Sequence, residues 1–164
     1  IIDGQILVAT LRDHVAVVRE ARTGDQATLL MVEQVAHWQH FEVGPCKNYQ
    51  QLEHNIAKLL QGRGSNLRKP TPVKVTGTCT RLQAHVIAGA CPIANPNGPR
   101  PWRYDGPANN VKLVGFYVED AAGKMTHHTR SSHLHVFCDQ AMGHLDNVEF
   151  TSATISIPAP IHHQ

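Results

Sequence analysis

The chain has 164 residues, with 15 lysines and arginines against 13 aspartates and glutamates. This length suits one domain with a sizeable core, so we predict a single domain over residues 1–164. The near balance of charge argues against partners such as nucleic acid or an anionic membrane surface. No apolar run reaches the ~20 residues of a membrane span, and the N-terminus lacks a secretory signature. We therefore expect a cytoplasmic protein.

Four cysteines are scattered along the chain without any C-x-x-C pair. This spacing argues against a thiolate zinc site and favours reduced thiols. The four are Cys46, Cys79, Cys91 and Cys138.

The N-terminal part of the chain has the pattern of β-strands. Residues 5–19 hold two apolar runs separated by Arg12 and Asp13, which predicts a hairpin. Residues 28–35 are a further apolar run and predict another strand.

Residues 49–61 are the clearest helix in the sequence. Asn48 is a good N-cap, Gln51 occupies the capping-box position, and Gly62 is a stop signal. The apolar side chains recur at helical spacing and predict a face that covers a sheet. They are Leu52, Ile56, Leu59 and Leu60.

The second half of the chain is predicted to be almost entirely β. Residues 70–88 form a long strand that bends or bulges near Gly77, and residues 111–120, 130–138 and 144–157 follow as strands. Between them, the prolines of residues 90–110 exclude regular structure and predict a binding lid or a solvated loop. We predict an α+β, mainly β fold: mixed or antiparallel sheets, as an open barrel or sandwich, with one main helix packed on the sheet.

Three histidines near the C-terminus have the spacing of a metal site. His133 and His135 leave the same face of a strand because successive side chains alternate. The turn-prone residues 139–143 predict a hairpin that brings His144 beside them. Three imidazoles with an open fourth position are typical of catalytic zinc, although other divalent transition metals also accept imidazole. Chance clustering among 12 histidines is the alternative.

Residues 111–157 resemble the zinc-binding half of bacterial α-acetolactate decarboxylases, and the order of upstream elements is similar. Together the resemblance covers about two thirds of the chain. It implies a fold of two β-sheets in which the three imidazoles hold zinc and the metal chelates substrate oxygens. The matching motifs are Val114-Gly115-Phe116, His133-Leu134-His135, Gly143-His144-Leu145-Asp146, Val73-Lys74-Val75-Thr76-Gly77 and Leu82-Gln83.

The chain departs from this family at the groups around the metal. Gln5, in Ile2-Asp3-Gly4-Gln5, stands where the resemblance implies a glutamate, and His85 stands where it implies an arginine that binds the substrate carboxylate. His85 is our candidate proton donor, since its ordinary pKa suits proton transfer near neutrality, or else a fourth ligand or a strand histidine. Arg81 lies on the same strand face as His85 and is our candidate for binding an anionic substrate. Arg130 is expected on the opposite strand face from His133.

The leading hypothesis is a zinc-dependent lyase that stabilises an enolate of a small oxygenated acid or dicarbonyl substrate. Its partner would be that small molecule, and a homodimer is an open alternative to a monomer. A second hypothesis is a non-catalytic, metal-containing binding or regulatory domain on the same scaffold. A cupin also begins its metal site with H-x-H, but the expected glutamate is missing from residues 136–140.

Overall fold

A computed structural model describes residues 1–27, 30–87, 97, 100–139 and 141–160. The described residues are mostly strand, with a helix against the main sheet, which confirms the α+β, mainly β fold class. The elements in chain order are β1 (Leu7–Arg12), β2 (Val15–Glu20), β3 (Trp38–Val43), α1 (Tyr49–Gly62), β4 (Thr71–Val86), β5 (Trp102–Tyr117), β6 (Ser132–Phe137) and β7 (Met142–Pro158).

Strands β1 and β2 form the predicted N-terminal hairpin as a separate two-stranded antiparallel ribbon. Asp13 and His14 connect them, and both have positive φ angles, 50° and 65°. Two successive residues with positive φ are the requirement of a tight turn that matches strand twist. The hairpin turn therefore lies at Asp13 and His14, one residue later than the polar break at Arg12 and Asp13.

The strand predicted at residues 28–35 is wrong over residues 30–35, and residues 28 and 29 lie outside the described part. Leu30 and Val32 remain 67% and 59% exposed. The strand forms later, as β3, where Trp38–Val43 pairs antiparallel with the end of β7. An apolar run forms a strand only where a neighbouring strand is available for backbone hydrogen bonds. Here β7 pairs with Trp38–Val43 and not with residues 30–35.

The main sheet has the order β3-β7-β4-β5-β6, and β6 also pairs with the beginning of β7. This extra pairing closes β4, β5, β6 and β7 into a ring at one end, which agrees with the predicted open barrel. Strand β4 shifts register on both sides of Cys79, next to the bulge expected at Gly77. The closed end of the ring is where the His triad, His133, His135 and His144, is located.

The prediction of no regular structure over residues 90–110 is wrong for its final part, since β5 begins at Trp102. Residues 90–96, 98 and 99 lie outside the described part. Pro107 fits in the strand because it falls in a register shift, between the Leu82–Gly106 and Cys79–Ala108 pairs. A bulge tolerates the missing N–H of proline.

Helix α1 confirms the predicted capping and the predicted apolar face. The Asn48 side chain accepts a hydrogen bond from the Gln51 backbone N–H at 2.8 Å. Its buried residues join the core formed with the sheet; they are Tyr49, Leu52, Ile56 and Leu60. No helix among the described residues is long and apolar enough to cross a membrane.

Two of the predicted thiols, Cys46 and Cys79, are free and buried in this core. Cys138 is also buried, close to the β6–β7 turn, and its Sγ lies 3.5 Å from the Ala141 carbonyl oxygen. Cys91 lies outside the described residues.

Candidate metal centre

The β6–β7 hairpin assembles the His triad as strand parity predicts. Leu134 and Val136 are 2% and 1% exposed and pack into the core, while His133 and His135 leave the other face. His144 lies directly across from His135 in the antiparallel pair. One ring nitrogen from each of the three histidines lies within 4.8 Å of the other two.

The hydrogen bonds of the triad leave nitrogen lone pairs for a metal. His133 Nδ1 lies 2.9 Å from the Met125 carbonyl oxygen and donates to it, which leaves Nε2 as the ring nitrogen that can bind a metal. A backbone carbonyl is one of the common partners for the second ring nitrogen of a metal-binding histidine. His144 Nδ1 is buried and has no hydrogen-bond partner among the described residues. The donor set fits a metal ion.

The spacing of two of these nitrogens also fits zinc. His133 Nε2 and His135 Nε2 are 3.1 Å apart. Two nitrogens at zinc–nitrogen distances of ~2.0–2.1 Å on a tetrahedral ion would be about 3.3 Å apart. His135 is exposed, so the cluster is open to solvent on one side.

The electrostatics of the site favour the neutral form of His135 and His144. Desolvation, followed by repulsion from His85 and His133, lowers the pKa of His144 to about 4. The pKa of His135 is lowered by desolvation within the crowded cluster and by His144 and His133, although the residue as a whole is exposed. Because only a neutral imidazole can bind a metal, both residues stay competent at mildly acidic pH.

The structure brings the predicted His85 next to the triad. His85 pairs with His144 across β4 and β7, and their rings stack with centroids 5.1 Å apart. His85 Nδ1 lies 2.8 Å from Asp146 Oδ1, and Arg103 donates to Asp146 Oδ2 at 3.1 Å. Burial acts to raise the pKa of Asp146, but the hydrogen bond and charge of His85 and the charge of Arg103 outweigh it, so the pKa is lowered.

Asp146 and His127 are site residues that the sequence reasoning missed. Asp146 could have been found, since it has the same strand parity as His144 two residues earlier. His127 lies in the connection before β6, with its ring centroid 6.1 Å from that of His133 and 6.2 Å from that of His144. Desolvation and the neighbouring His133 and His85 lower the pKa of His127. No periodicity in the sequence marks it.

Neither of the other two predicted residues forms a hydrogen bond or ion pair with the triad among the described residues. Gln5 is exposed and forms an isolated bridge with Ile2. Arg81 makes a two-pronged ion pair with Asp105, at 2.8 and 2.9 Å, and its side chain is 50% exposed. Arg81 lies four positions before His85, which is about 13 Å along the strand. The roles of Gln5 and Arg81 stay predictions.

Arg130, which strand parity placed on the opposite face from His133, instead reaches a neighbour of the site. Strand β6 begins only at Ser132, so parity does not set the direction of the Arg130 side chain. Its Nη2 donates to the Asp146 carbonyl oxygen at 3.3 Å, and its guanidinium lies 4.3 Å from the centroid of the Tyr49 ring. The guanidinium thus connects α1 to the strand that carries His144.

No protein-family profile matches the chain, and no curated protein sequence matches it. Solved structures do match. The α-acetolactate decarboxylase of Bacillus subtilis strain 168 has a TM-score of 0.56 at 14% identity, over 75% of this chain and 52% of that one. A Staphylococcus aureus protein of unknown function, described as similar to α-acetolactate decarboxylase, has a TM-score of 0.56 at 15% identity, over 76% and 52%. A plant- and prokaryote-conserved (PPC) protein of Pyrococcus horikoshii has a TM-score of 0.49 at 13% identity, over 81% and 87%.

The chain spans about half the length of the first two structures. At these identities the likeness shows a distant relationship of fold. Fold and site together define a mainly β protein with an acetolactate-decarboxylase-like fold and three histidines placed to hold a metal ion.

Proposed function

We propose that the protein is a zinc-dependent lyase that stabilises an enolate of a small oxygenated acid or dicarbonyl substrate. The observation that carries the proposal is the His triad, whose ring nitrogens converge within 4.8 Å while His135 leaves one side open. Three imidazoles with a vacant position suit catalytic rather than structural zinc. The likeness of fold to α-acetolactate decarboxylase supports the reaction class.

The proposed reaction breaks a carbon–carbon bond beside a carbonyl group. For 2-acetolactate, the bond between the carboxylate carbon and the hydroxyl-bearing carbon breaks, and carbon dioxide leaves. The electron pair remains on the hydroxyl-bearing carbon and is shared with the adjacent carbonyl oxygen, and one proton then gives acetoin. Zinc, when bound by the triad, would supply a Lewis acid for that oxygen.

His85 is the proposed proton donor. Its ring stacks on His144, so it borders the face where the substrate would lie. Its hydrogen bond from Nδ1 to Asp146 leaves Nε2 as the nitrogen that exchanges a proton with substrate. The Asp146 carboxylate holds the imidazole ring of His85 in one orientation.

Gln5 and Arg81 complete the proposed site residues. We propose that Gln5 offers an amide to the substrate in place of an acid, and that Arg81 attracts an anionic substrate. Because Arg81 is already paired with Asp105, its contribution would be a weaker, longer-range attraction than a direct contact.

Two assays test the proposal with the zinc-loaded protein. The first measures acetoin formed from racemic 2-acetolactate. The second follows, by NMR, the exchange of the acetoin C–H beside the carbonyl for deuterium from solvent, which reports enolate formation without decarboxylation. We expect exchange that is lost with chelator and in His135→Ala. Zinc-loaded protein with no activity above these controls in either assay would overturn the lyase and favour a non-catalytic metal-binding domain.

A further inference from the structure

We propose that Glu53 of α1 is a positioning residue for the metal centre, an inference that rests on the proposed function. Glu53 does not contact the His triad. It holds the segment directly before His133, and through Arg130 it reaches the strand that carries His144.

The first contact of Glu53 fixes the start of β6. Its Oε1 accepts hydrogen bonds from the Ser131 N–H at 3.0 Å, the Ser132 N–H at 2.8 Å and the Ser132 hydroxyl at 2.7 Å. Ser132 is fully buried, and its hydroxyl also lies 3.0 Å from the Tyr49 hydroxyl. His133 is the next residue along the chain. Three hydrogen bonds to one carboxylate oxygen therefore set the position from which the His133 side chain leaves the strand.

The second contact extends to the other side of the site. Glu53 Oε2 lies 4.0 Å from Arg130 Nη1, and the same guanidinium donates to the Asp146 carbonyl oxygen. Asp146 in turn binds His85. The Glu53 side chain is 12% exposed and that of Arg130 26%, so this pair is shielded from the screening that weakens surface ion pairs. One helix residue thereby links both ligand-bearing strands.

Glu53 does not lie where a solvent-exposed carboxylate of a helix is expected. It lies four residues after Tyr49 and three before Ile56, both buried, so it occupies the apolar face of α1. A carboxylate on such a face needs hydrogen-bond partners, and the N–H groups before His133 supply them. Partners beyond the direct ligands are known to govern how firmly a metal is held.

Three variants test the role: Glu53→Ala, Glu53→Gln and, as the control, Leu60→Ala. Leu60 is buried in the same helix, two turns further on, so its truncation lowers the melting temperature without touching Ser131 or Ser132. The readouts are zinc affinity by competition with a chromophoric chelator and the visible spectrum of the cobalt(II)-substituted protein. We expect Glu53→Ala to weaken zinc binding by about 10–100-fold and to change the cobalt spectrum.

Glu53→Gln keeps an amide oxygen that accepts from the two N–H groups, so we expect a smaller loss of affinity. This variant decides the question if Glu53→Ala does not fold. Leu60→Ala should retain the wild-type spectrum and affinity. Folded glutamate variants with the affinity and spectrum of the wild type, or equal changes in Leu60→Ala, would overturn the positioning role.

A metal-independent readout separates this inference from the proposed function. If the wild-type protein binds no zinc, the lyase proposal fails, and the ring NMR signals of His133 then test Glu53 alone. The positioning role predicts that these signals shift in Glu53→Gln and stay in place in Leu60→Ala. Unshifted signals in Glu53→Gln would contradict it.

Discussion

Gly115 is the position where one added methyl group would disturb the metal centre most directly. It lies on β5 opposite Leu134, next to His133. A Cβ atom at Gly115 would collide with the carbonyl oxygen of His133 and would lie 2.9 Å from its carbonyl carbon and 3.0 Å from the Leu134 Cα. All three are backbone atoms, so Gly115→Ala can be accommodated only if β6 moves away from β5.

The size of the effect follows from that geometry. Overpacking that shifts the backbone lowers the free energy of unfolding by about 1–3 kcal/mol. Because the colliding atoms belong to a strand backbone, we expect a loss of about 3 kcal/mol for Gly115→Ala. In a chain of this size each kcal/mol lowers the melting temperature by about 2–4 °C, so we expect a loss of about 6–12 °C. Displacement of His133 should also weaken zinc binding. Thermal unfolding followed by circular dichroism measures the first effect, and a chelator competition measures the second.

Gly44→Ala is the matched control. A Cβ atom at Gly44 has nothing within 4 Å. Its melting temperature should stay within about 2 °C of the wild type, as for most surface substitutions. A Gly115→Ala protein as stable as Gly44→Ala, with unchanged zinc affinity, would refute the close-packing argument.

Three further predictions concern the histidines and their partners. His144→Ala should lower zinc affinity by more than about 100-fold, since the loss of a ligand costs more than the loss of an outer partner. His54 is exposed on α1, so His54→Ala should leave zinc affinity unchanged. Equal zinc affinities in the two variants would contradict the role of His144 as a ligand. Asp146→Asn should slow the acetoin exchange about 10-fold or more with zinc still bound. The reason is that the hydrogen bond between His85 and the charged Asp146 carboxylate is worth about 1.5–3 kcal/mol. An unchanged exchange rate would exclude a role for the His85–Asp146 pair. The pKa of His144 is lowered to about 4 in the folded protein, against about 6.5 in the unfolded chain. Between these two pH values the metal-free unfolded chain binds a proton at His144 and the folded chain does not. The free energy of unfolding, from urea titrations, should therefore fall across that window, and less steeply in His144→Asn; identical slopes would contradict the shift.

Much of the fold could be predicted because its signals are local. The cap at Asn48 and the apolar spacing of α1 depend on a few neighbouring residues. The alternation around His133 and the turn before His144 likewise suffice to place the triad on a hairpin. These features required no knowledge of distant partners.

The errors share a different cause, since each depends on pairing between distant segments. Four of the six residues at 30–35 are apolar, yet they form no strand, because β7 pairs with the segment that begins at Trp38. Pro107 fits within β5 only because a register shift against β4 accommodates it. The roles of Glu53 and His127 depend in the same way on where the connection before β6 packs. No pattern within one segment contains that information.

X-ray absorption at the zinc edge of the reconstituted protein tests the central claim most directly. We expect one zinc per chain, bound by three imidazole nitrogens and one oxygen from exchangeable water, at about 2.0–2.1 Å. Such a spectrum means an open position where a substrate oxygen can bind. Zinc with four protein ligands, or a chain that retains no zinc after reconstitution, would contradict the proposed lyase site.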